Sequence, residues 1–435
     1  MKPNPPSRHP DSPSLLALLE NLLGSKNAFS FAAILLLITL AAYAATRIRY
    51  GDMREPGGAI VGRDYFAFYM AGYMIDSGRT QDLYDLAAQQ RWQNEFMAGI
   101  NPEWKSVCLY LNPPHYAWIM SRLARLGYVP SLLAWWGFSL LAFAASALCW
   151  RSWLGRDADR PILILILALP AWFQAFAGGQ NTFFTLFILS AFVALLLKQR
   201  DFFAGLILAL LAYKFQYILL PAALLLYKRR WRAMLGLILG GAVTLALTVA
   251  LMGSQVLGDY IHLALNLDKL MQQQGFDIYK QHSWHGFFAL ALGGVASPVV
   301  IRILTAVASL FTLTLLVPVW RGSWRPDSPA FPLRLAALLV ATLLTSPHLF
   351  HYDMLLIALP AVLWHVAAAH SPVDELDRNT RRIFVVGFFW LAFAGPLASL
   401  LRIQFSPILM VLWLVSIARH FGNRAPDALP VPDPA

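Results

Sequence analysis

The sequence has little charge and almost no cysteine. Only 13% of its 435 residues are Asp, Glu, Lys or Arg, while 58% are hydrophobic, whereas soluble domains carry about a quarter charged residues. Together with a mean hydropathy of +0.56, this composition excludes a soluble enzyme and indicates an integral membrane protein. The two cysteines, Cys108 and Cys149, fall in a polar loop and in an apolar segment, and we expect them to form neither a disulfide nor a metal site.

Positive charge is distributed in short clusters. The formal net charge is +11, but the basic residues lie between apolar segments, which is typical of a membrane protein and not of a surface that binds nucleic acid. The strongest cluster, residues 228–232, is predicted to be cytoplasmic, as are Arg151, Lys198 and Arg200. Residues 178–181 then lie on the opposite, extracytoplasmic side of the membrane.

Apolar segments recur along residues 27–421, which we interpret as one polytopic, all-α membrane domain. By length and hydropathy we expect about 10 to 13 transmembrane helices. The segments concerned are 28–46, 131–150, 161–177, 182–197, 202–227, 233–252, 299–320, 333–344, 352–368, 383–401 and 403–418. Residues 1–26 are predicted to form a cytoplasmic, partly disordered N-terminus, and residues 422–435 a disordered, proline-rich tail.

Two long polar stretches, 47–111 and 253–284, are predicted to be extracytoplasmic loops. The first is nearly neutral in charge, which indicates a folded loop. It contains a short amphipathic pattern over residues 81–97 that predicts a helix lying on the membrane surface. Asp85 is placed to cap the start of that helix.

The basic clusters do not decide how many times residues 112–227 cross the membrane. Either residues 112–125 are re-entrant, or the segment 202–227 is broken near Lys214, because irregular backbone is tolerated at membrane depth where it lines a cavity. A complete span over residues 112–128 is the simpler alternative.

Asp64 begins the most distinctive stretch of the first loop. It follows Arg63 and precedes five aromatic residues within the next nine positions. A carboxylate beside a membrane surface and between aromatic rings suits a general base that acts on a lipid-borne substrate. Taken alone, however, one loop aspartate is more often a solvated side chain beside interfacial Tyr and Phe.

Further polar residues interrupt the apolar segments. Lys214 lies in the middle of one of them, so we expect it to line a polar cavity or to oppose a negative charge such as a phosphate. Gln180 and Asn181 follow two glycines at a predicted helix start, where free backbone donors gather. Gln281 and His282 end the second loop, either as bases or as interfacial hydrogen-bonding groups.

His348 and His351 stand three residues apart in another apolar stretch. They share a face if that stretch is helical. No third ligand occurs at a suitable spacing, so we expect no metal site and interpret the pair as part of a hydrogen-bonded cluster facing a cavity.

Taken in order, these stretches resemble glycosyltransferase family 87, a group of polyprenyl-phosphate-mannose-dependent mannosyltransferases formerly classed as a domain of unknown function. The resemblance extends over about residues 28–420. It rests on Asp64-Tyr65-Phe66 with Tyr69, Ala71 and Gly72, Leu83-Tyr84-Asp85, Asn112-Pro113-Pro114, Gly179-Gln180-Asn181, Lys214 with the basic cluster after it, and Ser346-Pro347-His348 with Tyr352-Asp353. Residues 280–283 match only part of the Asn-Gln-Ser that is usual at that point.

The resemblance implies a GT-C fold, a polytopic helical bundle in the bacterial inner membrane with its active site at the extracytoplasmic face. It also implies an inverting, metal-independent transfer of a hexose, expected to be mannose, from a polyprenyl-phosphate-linked donor to a hydroxyl of a lipid or glycan acceptor. No separate cofactor is expected, and the partners are the donor, the acceptor and membrane lipids.

In that mechanism Asp64 is the expected catalytic base. Positive charge or hydrogen-bond donors have to stabilise the departing phosphate, and Lys214, His348 and His351 are the candidates. The full set of expected substrate contacts is Arg63, Tyr69, Tyr84, Asn112, Gln180, Asn181, Lys214, Gln281, His282, His348 and His351.

Three alternatives remain at this point. The first is a transferase for another lipid-linked sugar, such as arabinose or glucose. The second is a transporter or flippase for a polyprenyl-linked sugar, although transporters often show repeat-related broken helices and we find no repeat in this sequence. The third is a non-catalytic assembly subunit, against which the intact Asp64 series counts.

Overall fold

A computed structural model describes residues 34, 60–104, 106–154, 159–267, 270, 277–370 and 374–422. These residues form helices joined by short turns, with isolated β-bridges such as that between Gln281 and Phe350 and with no strand among them. The prediction of an all-α, polytopic membrane protein is therefore confirmed. The predicted first span (apart from Ile34) and the disordered tail after residue 422 lie outside the described residues.

In the described part of the chain, three short α-helices precede the main helical body. They are α1 (Arg63–Asp76), α2 (Leu86–Met97) and α3 (Pro114–Ala124). As predicted, Asp85 is the N-cap of α2, where its carboxylate accepts hydrogen bonds from the backbone N–H groups of Ala87 and Ala88 at 2.8 and 3.1 Å. Helix α3 has 11 residues, about 16 Å of helix, which is too short to cross a bilayer. The alternative of a complete span over residues 112–128 is therefore wrong.

The main body follows. Its first helices are α4 (Tyr128–Arg151), α5 (Asp159–Leu167), α6 (Pro170–Ala177), α7 (Thr182–Leu197), α8 (Asp201–Ala209), α9 (Gln216–Tyr227) and α10 (Trp231–Met252). The later ones are α11 (Ser254–Leu265), α12 (Trp284–Leu292), α13 (Pro298–Val319), α14 (Phe331–Thr345), α15 (Ala358–His370), α16 (Asp374–Leu401) and α17 (Ser406–Gly422). Three 3-10 turns lie between them, at Leu210–Lys214, Ile278–Lys280 and His351–Ile357.

Fewer helices are long enough to span a membrane than the 10 to 13 expected. In the described part of the chain, five stretches are long and apolar enough, and the bent pair α6–α7 makes a sixth if it counts as one span. The five are α4, α10, α13, His351–Ala369 and Arg378–Leu401. Helices α9, α14 and α17 are apolar but shorter.

The lower count has a physical cause, since several apolar runs are broken. The predicted segment 161–177 is divided by Pro170, which begins α6 because proline cannot continue a preceding helix. The segment 202–227 is broken by the 3-10 turn that ends at Lys214, as one of the two sequence alternatives predicted. Helices α6 and α7 meet at an angle of 120°.

Helix α14 forms the centre of the larger hydrophobic core. Thirteen of its fifteen residues are buried, so it contacts protein rather than lipid on all sides. A smaller core joins α1, α3 and the start of α4. The outer helices α10 and α13 instead present rows of exposed Leu, Val and Ile, as helices that face lipid do.

Two glycines bring the backbones of α8 and α10 into contact. A Cβ atom at Gly205 would overlap the carbonyl oxygen of Ala233, and a Cβ at Gly236 would overlap that of Phe202. Close backbone approach through small residues is a common way for helices to associate in membranes. Each glycine lies against a carbonyl of the other helix, so the contact is reciprocal, and each begins the same tetrapeptide, Gly-Leu-Ile-Leu.

We predict that Gly236→Ala destabilises the protein, because the added methyl group has to push the backbone of α8 away. The expected loss is about 1–3 kcal/mol, the usual effect of overpacking. Unfolding of the purified protein by SDS, followed by circular dichroism, measures it. Gly241→Ala is the matched control, since a Cβ at Gly241 meets nothing within 4 Å. Equal stability of the two variants would contradict the close contact.

Candidate active site

The first turn of α1 is attached to the turn between α6 and α7. The backbone N–H groups of Asp64 and Tyr65 both donate to the carbonyl oxygen of Gly178, at 3.1 and 2.9 Å. These N–H groups are free because they lie at a helix start. The contact places the Asp64 side chain, which belongs to the first polar loop, directly beside a break in the membrane helices.

Glycine is required on the other side of this junction. A Cβ at Gly178 would lie 2.8 Å from Oδ2 of Asp64, and Gly179 has a φ of +69° and lies against Tyr65. The indole N–H of Trp135 donates to the carbonyl oxygen of Gly179 at 2.8 Å. Any side chain at these two positions would therefore displace the carboxylate or strain the turn.

The electrostatic surroundings of Asp64 have opposing effects on its acidity. Burial raises the pKa of the Asp64 carboxyl from its ordinary value of 3.8, because a charged group loses hydration. A side-chain hydrogen bond from Gln180 and the positive charges of Arg63, Lys280 and Lys214 act in the opposite direction. The result is a carboxyl group whose pKa is higher than usual and is set by a small number of named neighbours.

Lys214 forms a buried ion pair with Asp353. Its Nζ lies 2.6 Å from Oδ1 of Asp353, and the two residues are only 8% and 2% exposed. The same carboxylate accepts hydrogen bonds from Thr182 at 2.6 Å and from Tyr217 at 3.1 Å. The negative charge that Lys214 was expected to oppose is thus supplied, at least in part, by the protein.

Two histidines from distant segments share a hydrogen bond. Nε2 of His282 contacts Nδ1 of His351, and Nδ1 of His282 lies 2.7 Å from the hydroxyl of Ser406. The β-bridge between Gln281 and Phe350 and the bond from His282 N–H to the carbonyl of Leu349, 2.7 Å, hold the two segments together. Burial lowers the pKa of His282 well below its usual range, so this ring is neutral.

Two amide oxygens near these groups have no hydrogen-bond partner among the described residues. They are Oδ1 of Asn181 and Oε1 of Gln281, and each residue is 1% exposed. A buried acceptor without a donor costs about 1–3 kcal/mol. Such atoms therefore suggest a ligand that brings hydroxyl or amine donors.

The charge of Lys280 lies close enough to act on both Asp64 and His351 of the histidine pair, which shows that these groups are near one another. Lys280 itself forms an exposed ion pair with Asp277 at 2.6 Å. Asp64 also interacts electrostatically with Tyr352. The start of α1, the α6–α7 break and the turns at 278–280 and 351–357 thus surround one polar region.

Not every predicted contact belongs to this region. Tyr69 is 3% exposed and its ring packs on Phe96 and Tyr128, so the structure places it in the aromatic core. The hydroxyl of Tyr84 donates to the backbone carbonyl of Asn112 at 2.8 Å, which fixes the path of the loop. Arg63 is exposed, and its guanidinium interacts with Cys108, Asp64 and Asp277.

The condition under which His348 and His351 were expected to share a helical face is not met. Residues 346–350 are not helical, and the 3-10 turn begins only at His351. Pro347 explains the break, because it cannot extend α14. The ring of His348 contacts His285, 6.5 Å between centroids, while His351 contacts His282, so the two side chains have separate partners.

Sequence reasoning missed Asp353, Lys280 and Ser406 as parts of the site. Asp353 could have been found, because a lone acidic residue in one apolar segment is the natural partner of a lone lysine in another. Ser406 offered no signal, since a single serine at the start of an apolar helix is common. Among the described residues, no three His, Cys, Asp or Glu side chains are grouped as a metal site.

The fold is that of a polytopic helical membrane protein. Where its interrupted helices meet, it has a half-buried carboxylate with amide and imidazole side chains nearby. A family model, glycosyltransferase family 87, matches residues 110–347, which is more than half of the chain. The chain therefore belongs to glycosyltransferase family 87, as its sequence motifs indicated. The matched range contains Gln180, Lys214 and His282, whereas Asp64 and His351 lie outside it. No curated protein and no solved structure is significantly similar to the chain.

We predict that Lys214→Met strongly destabilises the protein, since it leaves the carboxylate of Asp353 buried and unpaired. The expected loss is about 3–5 kcal/mol, measured by the same SDS unfolding. Combining it with Asp353→Asn should recover much of the loss, because no charge then remains to be buried.

The control is Asp76→Asn, which breaks the exposed pair between Asp76 and Arg125. That pair is expected to contribute only about 0–1 kcal/mol. If Lys214→Met were as mild as this control, the ion pair would not be a structural element.

Proposed function

We propose that this glycosyltransferase moves a hexose, mannose being the expected sugar, from a polyprenyl-phosphate-linked donor to a hydroxyl of a lipid or glycan acceptor, with Asp64 as the base. The observation that carries the proposal is the position of Asp64. Its carboxylate is held against Gly178 and bonded by Gln180, beside the cations Lys280 and Lys214 and the unpartnered amide oxygens of Asn181 and Gln281.

The chemistry that follows is a single displacement. Asp64 takes the proton of the acceptor hydroxyl while that oxygen attacks the anomeric carbon, and the bond from this carbon to the phosphate oxygen breaks. The electron pair leaves with the polyprenyl phosphate, and the configuration inverts. A carboxylate with a raised pKa suits this role, because a stronger base accepts the proton more readily.

The departing phosphate monoester needs nearby positive charge. Lys280 is exposed enough to approach it, since its ion pair with Asp277 lies at the surface. Lys214 keeps hydrogen-bond donors besides the one directed to Asp353. Both charges act on Asp64, which supports a phosphate site between them and the carboxylate, with His348 as a further candidate.

The sidedness proposed for the site follows from helix length. Helix α7 begins at the Asp64 junction and ends at Leu197, next to Lys198, after 16 residues, which is about 24 Å of helix. The basic cluster at residues 228–232 lies at the same end of the molecule, because its Arg230 forms an ion pair with Asp201 at the start of α8. Because clusters of Lys and Arg favour the cytoplasm, the site belongs on the extracytoplasmic face.

A transporter or flippase for a lipid-linked sugar is the second candidate. The observation that favours it is the 120° bend between α6 and α7, since transporters place broken helices at their substrate sites. A flippase moves its substrate without proton abstraction, so it does not need the carboxylate as a base.

We predict that Asp64→Asn abolishes transfer without unfolding the protein. The purified protein is incubated with radiolabelled polyprenyl-phosphate-mannose and a bacterial lipid extract, in the presence of EDTA. Loss of a positioned general base should reduce the rate of glycolipid formation by about 10²–10⁴-fold. Asp76→Asn, at the exposed end of the same helix, should retain the rate of the parent protein.

Equal transfer by Asp64→Asn and the parent would exclude Asp64 as the base. If neither produced glycolipid, other lipid-linked sugars would be tested as donors. Movement of a fluorescent lipid-linked sugar across proteoliposomes by both proteins, without any new glycolipid, would favour the flippase.

A further prediction concerns pH. The base acts in its ionised form, so activity should fall as the pH drops through the pKa of Asp64, which burial places above 3.8. Gln180→Leu removes a hydrogen bond that favours the ionised form, which raises this pKa further. The acidic limb of kcat/KM should therefore move to higher pH, while the rate at alkaline pH changes less. An unmoved limb, or one that persists in Asp64→Asn, would assign the titration to another group.

A further inference from the structure

The hydrogen-bonded series that ends at His351 has a defined starting point in Gln404. The indole N–H of Trp390 donates to Oε1 of Gln404 at 2.7 Å, and Nε2 of Gln404 donates to the backbone carbonyl of Tyr279 at 2.8 Å. These two bonds fix the orientation of the amide, since reversing it would place donor against donor and acceptor against acceptor. Oε1 of Gln404 is therefore an acceptor on the side that faces Ser406.

The orientation of Gln404 sets the direction of every later bond. The hydroxyl of Ser406 donates to Oε1 of Gln404 at 3.4 Å, so its oxygen accepts from the Nδ1–H of His282 at 2.7 Å. Nε2 of His282 is then unprotonated and accepts from the Nδ1–H of His351. In the reverse order, the oxygens of Ser406 and Gln404 would face each other with no proton between them.

This direction leaves Nε2 of His351 with a lone pair. No described residue donates a hydrogen bond to that atom, and His351 is 8% exposed. An ideal Cβ atom built at Gly395 would lie 4.0 Å from this nitrogen, so the backbone of Gly395 does not crowd it. The ring is buried, and no carboxylate among the described residues hydrogen-bonds to it, so a second proton would lack a counter-charge. A neutral ring with a bare Nε2 is a hydrogen-bond acceptor, not a cation.

We propose that Nε2 of His351 accepts a hydrogen bond from a sugar hydroxyl in the site that contains Asp64, with His282 and Ser406 as positioning residues that hold the ring in the required tautomer. The identification of the ligand as a sugar rests on the proposed function. This assignment replaces the sequence-based expectation that His351 stabilises the departing phosphate, because a neutral ring without a proton on Nε2 has neither charge nor a donor to offer an anion.

The proton order is tested by ¹⁵N NMR on the full-length protein with ring-labelled histidine, in a detergent that has no sugar head group. Spectra of His351→Gln and His282→Gln assign the ring nitrogens. We expect both rings to carry their proton on Nδ1 and none on Nε2 at neutral pH. A proton on Nε2 of His351, or two protons on that ring, would overturn the proposal and return His351 to the phosphate.

The positioning role is tested by Ser406→Ala. Without the serine oxygen, Nδ1–H of His282 has no acceptor, so both rings should become mixtures of tautomers. Ser416→Ala is the matched control, because Ser416 lies on the same helix and its exposed hydroxyl bonds only to the carbonyl of Leu412 at 3.0 Å. Unchanged tautomers in Ser406→Ala would remove Ser406 and His282 from this role.

The hydroxyl contact is tested by titrating the labelled protein with octyl α-mannoside. The Nε2 signal of His351 should shift saturably, whereas the fully O-methylated glycoside, which has the same ring and no hydroxyl donors, should leave it unchanged. The reverse pattern, or no shift with the mannoside, would exclude the contact. This measurement needs no turnover, so a shift observed in a protein that transfers no sugar would support the hydroxyl contact and count only against the proposed transfer.

Discussion

The site depends on one backbone contact, in which two N–H groups of α1 donate to the carbonyl of Gly178. It joins a helix from the polar loop to a break within the membrane helices. Because the contact is made by main-chain atoms, the position of Asp64 is fixed by helix geometry and not by a flexible side chain. The glycines at 178 and 179 are the local requirement for this contact, since both face atoms of Asp64 or Tyr65 with no room for a Cβ.

The breaks in the membrane helices have a shared explanation. A free backbone group in hydrocarbon is expensive, so a membrane helix is interrupted only where protein or water in a cavity can satisfy it. The interruption at 178–181, the 3-10 turn ending at Lys214 and the turn beginning at His351 all border the same polar region. The described part of the chain therefore has fewer long spans than its hydropathy indicates. The breaks create a place where carboxylates, amides and imidazoles lie close together.

The sequence predicted features that depend on local chemistry. Helical membrane architecture, the cap at Asp85, the break at Lys214 and the family all followed from composition, turn residues and short motifs. Contacts between distant segments could not be predicted, because no periodicity links positions that are 139 residues apart, as Lys214 and Asp353 are, or 124 apart, as His282 and Ser406 are. Fewer of the described helices are long enough to span a membrane than was expected, because average hydropathy does not register a single proline or a 3-10 turn.

The reciprocal glycine contact between α8 and α10 also affects how deep Lys214 lies in the membrane. Helix α10 is long and apolar enough to cross a bilayer and has an exposed apolar face, so bilayer thickness influences its tilt. Helix α8 is held to it backbone against backbone through Gly205 and Gly236, and the turn that carries Lys214 continues directly from α8. A bilayer of different thickness would change the tilt of α10. Through α8 this tilt would move the turn that carries Lys214, and with it the ion pair between Lys214 and Asp353.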